Sequence, residues 1–354
     1  MFKFIIISDL HLDNHNVFGE LDENGINQRL KDGLNAVEKV LKYAKDKAIK
    51  HVFFLGDLFE TKRKIATDVL SLTLQTFRKF KKNGIKLYML LGNHDKFFYN
   101  DKMAIHSLES FRDIATIIDT PTRMQLKGID VVWLPFSDYK QGMLNALYNI
   151  IDNCDNAAKL LMLHDDLGGI KYDNGFVSSS PLRYSQLSPK DFNYIFSGHI
   201  HKHTVFRNFV YVGSLYQKDF NEEGDTKGLI EVTVNKANEV KWKQVPITSK
   251  KFKTVNSFDL KKLNFNYYYY RFKVKEAEVD NLRQLIPEKY QIGKDFILEV
   301  EGVSDKIEHV DNIQNNFNLR DITKQFISDN DIIYRQQKLD KSLIMHILDK
   351  IGAL

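Results

Sequence analysis

The stretch Ile85-Lys86-Leu87-Tyr88-Met89-Leu90-Leu91-Gly92-Asn93-His94-Asp95 is an aliphatic run that breaks into four residues of turn and ligand chemistry. A run of this length bounded by Gly reads as a buried strand, and the switch places an amide, an imidazole and a carboxylate at its carboxyl end. That is where α/β folds present ligands. On its own the motif is weak, because Asn and Asp are common in turns. Its weight comes from what recurs elsewhere in the chain.

Working outward, Phe2 to Ser8 is apolar and leads into Asp9-Leu10-His11, and His51 to Leu55 leads into Gly56-Asp57. Between these runs, apolar residues recur every three or four positions in 26–47 and again in 66–81, which predicts two amphipathic helices. Strand, helix, strand, helix, strand implies a parallel, doubly wound arrangement. A helix is expected around 104–111, a strand over 129–135 and a helix over 142–153. Three later runs end in His164, in Gly198-His199-Ile200-His201 and in Gly213-Ser214. Six strands delivering Asp, His, Asn or Ser at one end build a single polar rim.

The 354 residues, 43% hydrophobic and 27% charged, suit a globular protein with one large catalytic domain and a smaller appendage. No apolar run nears the roughly 20 residues of a membrane span, and the first residues are too short and too soon acidic for a signal peptide. The expected location is the cytosol, without a membrane partner. A single cysteine, Cys154, excludes an intrachain disulfide and a thiolate cluster. Any metal is therefore held by His, Asp, Glu or Asn. The net charge of +5 permits a polyanionic substrate without requiring one. The lysines at 79, 81 and 82 and the run 250–253 are expected to be mostly solvated.

The rim collects Asp9, His11, Asp57, Asn93, His94, His164, His199 and His201. Imidazoles mixed with carboxylates suit two first-row divalent ions such as manganese, iron or zinc, whereas an all-oxygen set suits magnesium or calcium. Two ions about 3.5–4 Å apart need a bridging carboxylate, and Asp57 has ligands on both sides of it in the chain.

In order and strand context, Asp9-Leu10-His11, Gly56-Asp57-Leu58-Phe59-Glu60, Gly92-Asn93-His94-Asp95, His164 and Gly198-His199-Ile200-His201 resemble the five motifs of the calcineurin-like metallophosphoesterases, over residues 1 to about 215. The resemblance implies an α/β metallophosphoesterase β-sandwich flanked by helices. It implies that Asp9, His11 and His201 hold one metal, that Asn93, His164 and His199 hold the other, and that Asp57 is shared. His94 would then stand over the phosphate, stabilise charge and protonate the leaving oxygen, with Asp95 as a supporting residue beside it.

The segment from Tyr211 through Asp219-Phe220-Asn221-Glu222-Glu223 to Gly228 resembles the SbcD family, nuclease subunits of SbcCD-type DNA double-strand-break repair complexes of bacteria and phages. That resemblance implies three parts: a nuclease domain over 1–248, a DNA-capping α+β domain over 249–303 and a helical ATPase-binding tail over 304–354. It further implies a manganese-dependent exo/endonuclease acting on DNA ends, working as a homodimer with an SbcC-like SMC-type ATPase.

Within the cap, 248–255 is expected to be a linker, 267–274 and 296–300 strands and 276–286 a helix. Two short helices are expected in the tail. The tyrosine run 267–270 is expected to pack its sheet more than to stack bases. Departures from the family are Glu60, where relatives place a second active-site His, and Asp165-Asp166 after His164. The other histidines (His15, His51, His106, His203, His309, His346) are expected to be structural or at the surface, with His203 nearest the site. Rival readings are a phosphoesterase on small nucleotides or phosphoproteins and a DNA-end scaffold with a vestigial metal site.

Overall fold

A computed structural model describes residues 1–100, 103–170, 177–256, 263–275 and 296–301, together with residue 279 and the pairs 333–334 and 337–338. The elements, in order, begin with β1 (Phe2–Ile7), α1 (Gln28–Asp46), β2 (His51–Phe54), α2 (Thr67–Lys82) and β3 (Lys86–Leu90). There follow β4 (Lys96–Asn100), β5 (Met103–His106), β6 (Ala115–Ile118), β7 (Thr122–Leu126), β8 (Ile129–Leu134) and α3 (Lys140–Ile151). Next are β9 (Lys159–His164), β10 (Tyr194–Gly198), β11 (Thr204–Phe206), β12 (Phe209–Tyr211), β13 (Gly228–Val234) and β14 (Val240–Pro246). The last three are β15 (Lys251–Val255), β16 (Tyr268–Lys275) and β17 (Phe296–Glu301).

Two six-stranded sheets stack, with orders β14-β13-β1-β2-β3-β6 and β11-β12-β10-β9-β8-β7. The central strands of each are parallel; antiparallel neighbours close both edges of the second sheet and the β13–β14 edge of the first, whose other edge strand, β6, runs parallel to β3. The strands read as unbroken apolar runs because both faces are buried. In β1, Phe4 and Ile6 enter the core between the sheets while Ile5 and Ile7 enter the core beneath α1 and α2. β8 and β9 alternate likewise: Trp133 and Met162 face the other sheet, and Leu134 and Leu163 face α3. The result is a helix–sheet–sheet–helix sandwich.

The doubly wound expectation is thereby corrected. Each sheet carries helices on its outer face only, because a second sheet occupies the inner one. The helix expected around 104–111 is also corrected: β4 and β5 form an antiparallel hairpin, and a 3-10 turn follows over Ser107–Phe111. Leu108 and Phe111 keep the three-residue spacing that suggests a helix, and both are buried. The supposed linker at 248–255 contains β15, whose Lys-Phe-Lys alternation buries Phe252 and exposes the lysines. Charge concealed the strand. Polar residues interrupt β7, β13 and β14, so none of them presents an unbroken apolar run.

β15, β16 and β17 form a parallel three-stranded sheet. Tyr269 is 2% exposed and packs with Phe252 and Phe18 of the main sandwich, whereas Tyr270, 1% exposed, packs with Phe272 and Phe296 on the opposite face. The last two tyrosines of the run therefore pack, whereas Tyr267 is exposed. The Tyr269 hydroxyl donates to Asp32 of α1 at 2.5 Å, and the Arg29 guanidinium lies 4.8 Å from the centre of the Phe252 ring. By contact density, residues 1–306 are one unit and 307–354 another, the latter holding an antiparallel pair of Ile333–Tyr334 with Gln337–Lys338. The expected helices at 276–286 and in the tail lie outside the described residues. Among those described, no helix is long and apolar enough to cross a membrane.

Candidate metal centre

All eight rim residues come together at the carboxyl ends of the central strands. Backbone pairing starts the assembly: the amides of Leu10 and His11 both donate to the Asp57 carbonyl, at 2.9 and 3.0 Å, so the β1 and β2 motifs are tied directly. The His199 amide donates to Asp9 Oδ1 at 3.0 Å and brings in the β10 motif. The His94 amide donates to Asp57 Oδ1 at 2.8 Å and brings in β3. Asp9, His11, Asp57 and His199 have φ of 54°, 44°, 61° and 80°. Each is an L-residue in the left-handed region, a strain that persists where surrounding structure over-determines it and that gathers at functional sites.

Three donor groups result, with ligand atoms within 4.8 Å of one another in each: Asp9, His11 and His201; His11, Asp57 and His94; and Asp57, His164 and His199. Asp57 Oδ2 lies 3.5 Å from His11 Nε2 and 3.2 Å from His164 Nε2, between the two sides. His201 Nε2 is 3.1 Å from His11 Nε2. Asn93 Oδ1 is 3.1 Å from His164 Nε2 and 2.9 Å from His199 Nδ1. Asp9 Oδ2 is buried and makes no hydrogen bond. A buried carboxylate oxygen without a partner is costly unless a cation meets it. Nitrogen and oxygen donors, an orphaned carboxylate oxygen and a central Asp together fit a pair of divalent ions.

Outer partners select the ring nitrogens. His164 Nδ1 donates to the Leu55 carbonyl at 2.5 Å and leaves Nε2 for the site. His201 Nδ1 donates to Glu222 Oε1 at 2.6 Å, and His11 Nδ1 faces Glu60 Oε2 at 2.9 Å, so Nε2 is the inward nitrogen of both. Burial pushes the Asp57 carboxyl up, but the His164 and His11 imidazoles outweigh it and hold it well below the usual carboxylate range. Burial likewise lowers His164, yet the Asp57 carboxylate wins and raises it. His199 is pushed down to about 4 by burial and then by the charge of His164.

Several expectations about supporting residues are corrected. Asp95 does not reach the His94 ring: its carboxylate accepts the amides of Asp57, Gly92 and Leu58 at 2.8, 2.8 and 3.0 Å, pinning two motifs together. Burial and the nearby Asp57 carboxylate push it up to about 6. His203 turns away, with Nδ1 2.9 Å from the Tyr211 carbonyl and its ring against Trp242.

The two family departures are accounted for structurally. Glu60 serves His11 with its carboxylate and His94 Nδ1 with its carbonyl, at 2.6 Å. Asp165 pairs with Lys140, and Asp166 accepts hydrogen bonds from Ser178 and Tyr211, so both carboxylates brace loops. Glu222, behind His201, is the partner of the site that the sequence concealed. It is 7% exposed and also accepts from the Lys218 amide and pairs with Lys227, each at 3.0 Å. Nothing in an Asn-Glu-Glu-Gly loop distinguishes it from solvated acid.

A family model described as calcineurin-like phosphoesterase matches residues 2–203. The chain is similar to the DNA double-strand break repair protein Mre11 of Methanocaldococcus jannaschii, 25% identical over 279 residues, covering 74% of this chain and 71% of that one. It is also similar to Exonuclease subunit 1 of Enterobacteria phage T4, 22% identical over 200 residues, covering 55% of this chain and 56% of the phage subunit. Among solved structures, a dimetal phosphatase from Danio rerio aligns with 66% of this chain and 93% of its own at 9% identity and a TM-score of 0.39.

Proposed function

The chain belongs to the calcineurin-like phosphoesterase family, hydrolases with a dinuclear metal site, and from that premise we propose that it is a manganese-dependent nuclease for DNA ends. The observation that carries the substrate class is the likeness to a double-strand break repair protein over 74% of the chain, more than residues 2–203 alone occupy. In this reading Asp9, His11 and His201 hold one ion, Asn93, His164 and His199 the other, and Asp57 bridges them. Such a pair supplies a nucleophile at neutral pH and neutralises the charge of a phosphodiester.

The remaining chemistry falls to the protein. His94 Nδ1 faces a carbonyl, which only accepts, so Nδ1 carries a hydrogen and Nε2 is the nitrogen that exchanges a proton with substrate. That suits protonation of the leaving oxygen. Glu60 and Glu222 hold His11 and His201 in the tautomer that directs Nε2 inward. The sheet of β15, β16 and β17 forms a cap, and the tail beyond residue 304 docks on a coiled-coil SMC-type ATPase. The working unit is a homodimer within that assembly, in the cytoplasm.

Linear duplex DNA and a bis-nitrophenyl phosphate diester, each assayed with manganese, test this reading. Manganese-stimulated cleavage of the duplex is expected. Turnover of the small ester without DNA cleavage would overturn it in favour of a small-molecule phosphoesterase. Binding of DNA ends that persists in chelator, without any hydrolysis, would point to a scaffold. Co-purification with a long coiled-coil ATPase, lost on deleting 304–354, tests the partner.

A further inference from the structure

The metal residues follow the carboxyl ends of the strands; the amino ends of the same strands form the opposite edge of the sandwich. There a cavity of about 680 Å³ opens between the start of β1, the turn before β2, the β7–β8 turn and the β13–β14 turn. Lys3, Lys47, Lys50, Lys127 and Lys236 line it, drawn from these separate segments, and no Asp or Glu does. Among the described residues, none of the five forms an ion pair, and the Lys50 ammonium meets only the Asn83 carbonyl, at 3.3 Å. Five ammonium groups with no carboxylate among the lining residues give the cavity a local positive field.

Its floor is different in kind. Phe2 and Ile129 are 8% and 1% exposed, and the His51 ring packs edge-on to Phe2 at 5.0 Å and parallel to Tyr88 at 5.9 Å. Burial, then Lys86 and Lys127, hold the imidazole below its ordinary value. Ala48 and Lys127 on the rim have φ of 53°, left-handed positions that neither side chain favours. An apolar floor with a charged rim, in a volume within the range of small-ligand sites, suits a flat ring carrying phosphates better than a bare phosphate or a duplex.

We propose that this cavity is a second ligand site, remote from the metals, that takes a nucleoside polyphosphate with its base on the floor of Phe2, His51 and Ile129 and its phosphates on the lysines.

Equilibrium dialysis of labelled dATP against the full chain in chelator, where the metal centre makes no contribution, tests it. Retention of dATP is expected, with displacement by tripolyphosphate at lower concentration than by adenosine. The double charge reversal K47E/K127E, at two exposed positions, should weaken retention at least tenfold with the thermal unfolding midpoint unchanged. K236E serves as a second variant, with a smaller loss expected. No retention in chelator overturns the proposal. So does equal retention by wild type and K47E/K127E, or displacement by adenosine as effective as by tripolyphosphate. A short DNA duplex that binds through the same lysines and is not displaced by dATP would assign the cavity to a DNA backbone, and the proposal would fall.

Discussion

Asn93 and His94 are chain neighbours with different proposed tasks, and their surroundings separate them. Asn93 Oδ1 points at two imidazoles, while the His94 ring is tied to Glu60 and the His94 amide to Asp57. Replacing His94 with Ala is expected to cut DNA cleavage by about 10²–10⁴-fold, the range of a lost general acid, with two manganese ions still bound by calorimetry; simultaneous loss of metal would refute the role given to His94. Glu222→Gln keeps shape but weakens the hold on His201 Nδ1. Manganese affinity should fall about 10–100-fold, and unchanged affinity would reduce Glu222 to a loop brace. Legibility ended at this pair: the metal-type side chains declare themselves by residue type, whereas Glu222 becomes informative only once the chain returns it behind His201.

At the scale of elements, the centre is a set of strand-to-turn junctions in which glycine is required by close approach. A Cβ on Gly92 would lie 2.2 Å from Asp57 Oδ1 and 2.6 Å from the Asp57 amide nitrogen. Gly198 is equally confined, by Ser8 Oγ at 2.2 Å and the Leu55 carbonyl at 2.5 Å. Gly92→Ala must therefore push the proposed bridging carboxylate aside. We expect it to abolish manganese-dependent cleavage while far-UV circular dichroism stays native, since the junction lies outside the strands; retained activity would show that the turn has slack. Strands buried on both faces were legible from their apolar runs. β14 and β15 were not, because an edge strand mixes lysine into its alternation, and β13 is the exception among buried strands because Glu231 and Thr233 break its apolar run.

Across the whole molecule, pH acts through half-buried histidines outside the proposed ligand set. Burial lowers His15 to about 4, and lowers His51, His106 and His203 as well. As pH falls through the unfolded value near 6.5, the unfolded chain takes up protons that the folded chain refuses, so stability falls with acidification between about 6.5 and 4. Asp95, pushed up to about 6, opposes this, and so do Asp13 and Asp165, whose carboxyls burial also raises. Urea unfolding in chelator should show the decline. His51→Phe should flatten it by up to about 1.4 kcal/mol per pH unit, and an unaltered slope would exclude His51 as a contributor. Packing of the β15–β17 sheet against α1 is a second property at this scale. Tyr269→Phe removes the donor to Asp32 and is expected to cost about 0.5–1.5 kcal/mol, read by urea unfolding.

By itself the sequence determined the ligand types, their order along the chain and their placement at strand ends, because apolar runs and chemically committed side chains are local properties. It also carried the phosphoesterase motifs around Gly92-Asn93-His94-Asp95. Tertiary structure alone decided that two sheets cover each other's inner faces, that Asp95 clamps backbone amides, that His203 turns to Trp242 and that Glu222 stands behind His201. These depend on which distant segments share a surface, and side-chain burial and hydrogen-bond partners are set there by packing rather than by neighbours in the chain.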